Sequence, residues 1–183
     1  MREIKLAVIA AVGLTILLGL AYPLAMTGVA QVAFPSKADG DQTLIGRDYS
    51  DDPSLFQSRP SVTGYAPDAT FFNNQGPNQQ ALADQLRGFV RRYLRRERPY
   101  NPGLQAGDLP PDAVTTSASG VDPQISIENA RIQARRVAAE RNLPLPQVLR
   151  LVDDASSRPL LGISGPQSVN VNKLNEALEG RPL

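Results

Sequence analysis

Apolar and polar positions divide this chain sharply near residue 30. From Leu6 to Met26 no residue carries a formal charge and nearly all are apolar (LAVIAAVGLTILLGLAYPLAM). At 1.5 Å rise per residue such a run spans about 31 Å of helix, close to a hydrocarbon core of about 30 Å. Residues 1–30 therefore read as a single transmembrane anchor. Gly13 and Gly19 offer small surfaces to a neighbouring helix, and the Thr15 hydroxyl can bond its own backbone. Tyr22 falls at the far interface, where amphipathic rings are favoured. Pro23 is expected to kink or fray the helix there. Arg2, Lys5 and the small residues Gly28-Val29-Ala30 also resemble a cleaved signal sequence, but the apolar run far exceeds the roughly 7–15 residues of a signal core. Charge orients the span. Arg2 and Lys5 precede it, and Lys37, Asp39 and Asp41 are the first charges after it. The positive-inside tendency then puts the short amino-terminal end in the cytoplasm and the rest outside.

Residues 31–77 lose regular periodicity. Gly, Pro, Asp, Asn and Ser break up short apolar pieces: Thr43-Leu44-Ile45-Gly46, which reads as a strand, then Leu55-Phe56 and Phe71-Phe72. A bare loop of this length is rare in a compact domain, so the segment is expected to wrap a core or meet a partner. Residues 78–183 read as that core. Asn78 suits the N-cap of a helix ending before Pro99, with Leu82, Leu86, Phe89, Val90, Tyr93 and Leu94 at helical spacing. Opposite them lie Arg87, Arg91, Arg92, Arg95, Arg96 and Arg98. Such a face is ordinarily just solvated, although lipid phosphate or an acidic partner would also suit it.

After a Pro/Gly-rich connector from Tyr100 to Pro111, Ala113-Val114-Thr115-Thr116 reads as a strand. Thr115 to Gln124 is a small polar turn whose amides and hydroxyls either cradle an anion or satisfy their own backbone. Ser126 caps a helix to about Arg141, with Ile127, Ala130, Ala134, Val137 and Ala138 on one face and Asn142 at C′. Pro146 opens a further helix to Val152. Leu160-Leu161-Gly162-Ile163 and Val169-Asn170-Val171 flank Gly165-Pro166 as a hairpin. A last helix carries Leu174, Ala177 and Leu178. Helices and strands intermix without a βαβ repeat, so the fold class is α+β: one transmembrane helix followed by one extracytoplasmic mixed domain.

Composition narrows the chemistry. The 183 residues include no His, Cys or Trp. This excludes thiolate nucleophiles, a Ser-His triad, disulfides and ordinary zinc sites. Removing Arg2, Lys5 and Glu3 from the 19 basic and 18 acidic residues leaves the outer part electrically neutral. Nucleic-acid binders usually carry a clustered basic excess, so no nucleic-acid partner is expected. Of the three lysines, Lys37 and Lys173 lie beyond the span, neither in a P-loop nor in a Ser-Lys catalytic pattern. The pairs Asp51-Asp52 and Asp153-Asp154 flank turns and read as surface. No catalytic site and no metal site is legible, and the role is structural, binding or accessory.

Several segments, in order, resemble one family. Gly19-Leu20-Ala21-Tyr22-Pro23-Leu24 comes first, then Gln31, Phe34-Pro35, Ala38, Gly40, Leu44-Ile45-Gly46 and Phe56-x-x-Arg59-Pro60-Ser61. Val114-Thr115-Thr116-Ser117-Ala118-Ser119-Gly120-Val121-Asp122 is the most specific. Gln133-x-x-Arg136-Val137-Ala138 and Val169-Asn170-x-x-x-Leu174-Asn175-x-Ala177-Leu178 complete the series. Behind one transmembrane span, this order resembles the C subunit of the Kdp potassium-transporting P-type ATPase. Two places depart: Asn73 to Asn78 keeps only the glycine-plus-amide character of the family's run, and Gln124 replaces the family's usual His or Asn.

The resemblance implies an accessory subunit of the bacterial inner membrane, without a cofactor of its own. It implies as partners a channel-like potassium-binding subunit, a catalytic P-type ATPase subunit and membrane lipid. Two roles follow: assembling and stabilising the complex, with the outer domain capping the potassium entrance, and acting as a catalytic chaperone that raises ATP affinity. ATP would then be the implied ligand, with Gln133 matching the implicated glutamine. The partner-contact candidates are Gly13, Gly19, Tyr22, Pro23, Phe34 and Pro35 at the anchor. In the outer part they are Arg59, Pro60, Ser117, Ser119, Gly120 and Asp122. The roles conflict in space, because ATP is cytoplasmic while the flanking charges put Gln133 outside. The alternative is a membrane-anchored extracytoplasmic binding module unrelated to potassium transport, which would need a concave pocket.

Overall fold

The computed structural model describes residues 1–35, 42–69, 74–157 and 167–180. They fall into two compact units, Met1–Gln42 and Thr43–Leu183.

The first unit is helical. Helix α1 (Arg2–Ile16) runs through a π turn (Leu17–Ala21) into α2 (Tyr22–Ala33), and none of these residues is buried. The combined helix, 32 residues, is long and apolar enough to cross a membrane. It does not fray at Pro23. Proline has no N–H to donate and its ring crowds the carbonyl four residues back, here that of Gly19. The wider π turn lies just ahead of Pro23 and accommodates that crowding without ending the helix. The Thr15 hydroxyl donates to the Ala11 carbonyl at 2.8 Å, as the sequence suggests, and Thr27 repeats the bond to Pro23. The helix ends at Phe34, where the backbone leaves helical angles (φ −141°).

The second unit is α+β. Its first stretch, 43–69, is a strap without strands. The strand expected at Thr43–Gly46 is absent: a 3₁₀ turn (Gln42–Leu44) leads into irregular chain instead. The carbonyls of Thr43 and Ile45 accept from the side chain of Asn172, so side-chain amides take the place of a ladder. Helix α3 (Gln80–Glu97) starts one residue later than Asn78 would set it, with Gln79 at the N-cap and no side-chain cap bond. Tyr93 and Leu94 are buried, while Arg87, Arg91, Arg92, Arg95 and Arg98 are exposed.

The strand expected at Ala113–Thr116 is also absent. Pro110 and Pro111 hold φ near the helical value at the first helical position, where no N–H is needed, and α4 (Pro111–Val114) forms. The Thr115 hydroxyl closes that turn onto the Pro111 carbonyl at 2.7 Å. Strand β1 (Gln124–Ser126) then leads into α5 (Ile127–Glu140), whose N-cap Ser126 accepts from the Asn129 amide at 3.1 Å. Asn142 takes φ +53° just past the end. The Asn142 and Leu143 amides return to Ala139 and Ala138, the Schellman pattern. Helix α6 (Leu145–Asp154) carries Pro146 in its first turn, with Leu145 ahead of it and Pro144 as N-cap. Strands β2 (Ser156–Ser157) and β3 (Ser168–Asn170) precede α7 (Val171–Leu178), which Asn170 caps.

The sheet has the order β1-β3-β2, antiparallel throughout. Ser156 and Ser157 supply the partner for β3; the expected Leu160–Ile163 strand and its Gly165-Pro166 turn lie outside the described residues. Ile125 faces Val169 in register, and both are buried. Against them pack the predicted face of α5, Val148 and Val152 of α6, and Leu174 of α7. Ala130 and Ala134 on α5 are wholly buried in this core, and α5 packs against α6. Phe56, from the strap, is wholly buried in the same core.

Candidate functional site

A strap without strands still has backbone groups to satisfy, and an unpaired buried N–H or C=O costs about 1–3 kcal/mol. Side chains of α5 and α7 meet that need. The Asn175 amide accepts from the Phe56 N–H at 2.8 Å and donates to the Phe56 carbonyl at 3.0 Å. From the other helix, Gln133 does the same for the next residue, accepting from the Gln57 N–H at 2.7 Å and donating to its carbonyl at 3.2 Å. One amide per residue thus imitates a strand edge. Arg136 donates to the carbonyls of Pro53 and Leu55, and Arg141 donates to that of Ser54.

Gln133 has nothing left over. Its second N–H donates to Asn129 at 2.9 Å, and its oxygen also accepts from Arg136 at 3.0 Å. Asn129 accepts in turn from the Tyr93 hydroxyl at 2.7 Å, and burial pushes the Tyr93 phenol pKa far up, so it stays a donor. Arg136 pairs with Glu97 at 3.0 Å, both essentially without solvent exposure, and Arg96 joins Glu97 at 2.9 Å. Arg136 also holds the strap, so the pair belongs to the network that fixes the strap to the core.

A second junction gathers most of the outer-part contact candidates. Arg59 pairs with Asp122 at 3.3 Å and also donates to Thr115 and to the Thr116 carbonyl. The Ser117 amide donates to the Pro60 carbonyl at 3.3 Å, and the Ser61 hydroxyl donates to the Gly120 carbonyl at 2.7 Å. Gly120 sits at φ +74°, and a Cβ there would lie 2.5 Å from Thr63 Oγ1. Only glycine fits both demands. Gly46 is also tightly packed: a Cβ there would lie 2.9 Å from the Asp122 carbonyl oxygen, and its amide bonds the Val121 carbonyl at 2.6 Å. The loop amides of Ser117, Gly120 and Val121 bond Pro60, Ser117 and the exposed Ser119 hydroxyl. These bonds favour the self-satisfied reading of the loop over the anion cradle.

Arg59, Pro60, Ser117, Ser119, Gly120 and Asp122 thus stand together, and Gln133 stands in the neighbouring clamp. Gly13, Gly19, Tyr22, Pro23, Phe34 and Pro35 belong to the first unit, all exposed. Sequence reasoning missed Asn172 and Glu97, and named Asn175 only within the resembling series, without a role. The signal was available for the two asparagines, since amides three residues apart flank the apolar Leu174 on one short helix. Asp51, Asp52, Asp153 and Asp154 are exposed as expected, and the Arg131–Asp153 pair lies on the surface. Lys173 is exposed. Between strap and α3 lies a cleft of about 250 Å³, lined by Tyr65, Phe89, Arg92, Tyr93 and Arg96 together with buried Asn129 and Gln133.

The model of the family described as "K+-transporting ATPase, c chain" matches residues 4–180. The chain belongs to the KdpC family. A relative named potassium-transporting ATPase KdpC subunit, from Caulobacter vibrioides (strain NA1000 / CB15N), is 45% identical over 180 residues, covering 91% of this chain and 87% of its own. Relatives of the same name from Polaromonas naphthalenivorans (strain CJ2) and Rhodopseudomonas palustris (strain ATCC BAA-98 / CGA009) are 44% and 40% identical. They cover 91% and 98% of this chain, and 88% and 97% of their own lengths. KdpC membership makes this a subunit of a potassium-transporting ATPase and speaks against a binding module unrelated to potassium transport. The match takes in both the apolar helix and the α+β unit.

Proposed function

We propose that this KdpC-family chain is an accessory subunit that assembles and stabilises the potassium-transport complex, partnered by a channel-like potassium-binding subunit and the catalytic P-type subunit. The observation that carries the reading is the N-terminal helix: 32 residues, apolar, and without one buried residue. Such a surface requires lipid on part of its circumference, and the Gly13 and Gly19 positions suit a close helix neighbour on the rest. In this reading the chain crosses the bacterial inner membrane once, with Arg2 and Lys5 in the cytoplasm and the α+β unit outside.

The state of Gln133 supports assembly over direct ATP contact. Its amide is 1% exposed and fully engaged with Gln57, Asn129 and Arg136, which leaves no group to offer a nucleotide. A role for Gln133 in ATP affinity would be exerted by holding the strap.

The test is an exchange of residues 1–30 for an unrelated single-span helix of equal length, followed by affinity purification from native membranes. Loss of the two partner subunits is expected; an intact, normally active complex would overturn the reading. Orientation is checked with a cysteine at Asp153 in this cysteine-free chain. It should react with an impermeant thiol reagent before the inner membrane is lysed, and labelling only after lysis would reverse the assignment.

A further inference from the structure

The cleft between the strap and α3 has polar groups of two kinds. The deep ones are occupied: Asn129 bonds Tyr93, Gln133 and Asp112, and Gln133 bonds Gln57 and Arg136. The shallow ones are cationic and poised. The Arg92 guanidinium lies over the Phe89 ring, 4.7 Å from its centroid, and makes no hydrogen bond or ion pair among the described residues. Arg96 lies over Tyr93 at 5.4 Å, held through its Nε by Glu97, and this leaves its terminal N–H groups available. Facing them, Asp48 also lines the cleft, one of its oxygens accepting from the Ser50 amide. Among the lining residues two arginines stand against one carboxylate, and the Glu97 that holds Arg96 is shared with the buried Arg136, so the lining carries a positive excess.

Size narrows the occupant. Small-molecule sites commonly measure about 300–1,000 Å³. At about 250 Å³ this one is smaller, open on one side, and walled by two tyrosines and a phenylalanine. Arginine and aromatic side chains around a pocket of side-chain size are the composition of an interface anchor point. Stacking on the rings also restrains both guanidinium groups before anything binds, which lowers the ordering cost of binding.

We propose that this cleft is a socket for a carboxylate side chain, an Asp or Glu on a loop of a neighbouring subunit in the transport complex, gripped by Arg92 and Arg96. The inference rests on the assembly reading, and it adds a second, polar point of attachment to the apolar helix.

The experiment is affinity purification of the whole complex from native membranes over a salt series. Wild type is compared with Arg92→Lys, Arg92→Glu and the helix-exchanged chain. Arg92→Glu should lower recovery of the partner subunits at least fivefold at moderate salt, and Arg92→Lys by less, because one ammonium grips a carboxylate less well than a planar fork. The isolated full-length Arg92→Glu chain should unfold at the wild-type urea midpoint, which separates lost docking from lost folding. In the same complex, a photoreactive amino acid at Ser50 should crosslink to a partner peptide containing Asp or Glu. Unchanged recovery of Arg92→Glu, with helix exchange still disruptive, would overturn the socket and leave the assembly reading standing. Crosslinks to lipid only, to a peptide without an acidic residue, or to nothing would overturn the socket as well. Should helix exchange leave the complex intact, the assembly reading fails, and the crosslinked peptide alone decides the socket.

Discussion

Gln133, Asn175 and Arg136 are long polar side chains buried in the α+β unit, each bonded to the protein's own backbone, whereas no residue of the 32-residue helix is buried. One region answers its physical demands internally and the other leaves them to its surroundings. The α+β unit could rely on few strands, because its strap has no strand partner, so amides and guanidinium groups do the work of a sheet. The helix satisfies its backbone by itself, even around Pro23, but leaves its whole apolar surface uncovered. From this contrast it follows that changes in the network should act on folding, and changes in the helix on association.

The contrast breaks most severely at Arg136. Arg136→Met leaves the buried Glu97 carboxylate with Arg96 as its one remaining cation among the described residues and frees the carbonyls of Pro53 and Leu55. We expect a loss of about 3–5 kcal/mol in urea unfolding of the full-length chain followed by far-UV circular dichroism. Adding Glu97→Leu should recover only part of it, since the strap carbonyls remain unbonded.

Gln133→Ala is expected to cost less, about 2–3 kcal/mol, by leaving the N–H and C=O of Gln57 without partners. Asn175→Ala should match it at Phe56. A double-mutant cycle between them should show coupling, because adjacent strap residues are released together. Neither change should loosen the helix from partner subunits beyond what misfolding explains.

Smaller again is Gly120→Ala, at about 1–3 kcal/mol, from a Cβ placed against Thr63 and a left-handed φ. Thr63→Ala should relieve the steric part and leave the backbone part, and the residual loss of stability measures the second.

The mildest effect concerns alkali. Burial, with Asp48 nearby, pushes the Tyr65 phenol up to about 12 from 10.0. The unfolded chain releases that proton near pH 10 and the folded chain near 12, so the stabilisation is intact below pH 10 and is lost as pH rises to 12. Tyr65→Phe should flatten the urea midpoint over that window relative to wild type.

Periodicity and capping chemistry are local, which is why the apolar helix, the buried face of α5, the Ser126 cap and the Asn142 terminus were legible in the sequence. The two failed strands, Thr43–Gly46 and Ala113–Thr116, have β-branched residues in favourable runs, but tertiary partners decide strands. Thr43 and Ile45 found asparagine side chains, and the prolines before Ala113 imposed a helical turn. Arg59, Pro60, Gly120 and Asp122 could be singled out from resemblance, but their mutual contact spans a separation of about sixty residues that no local pattern encodes. Glu97 lies between Arg96 and Arg98 in sequence, and only its pairing with Arg136 marks it as a core residue.

The most direct measurement is urea unfolding of residues 43–183 produced without the helix, alongside the full-length chain in detergent. Self-sufficiency of the α+β network predicts one cooperative transition in each, at the same midpoint. A helix-free fragment with no cooperative transition, or one shifted to much lower urea, would contradict the division of labour between the two regions.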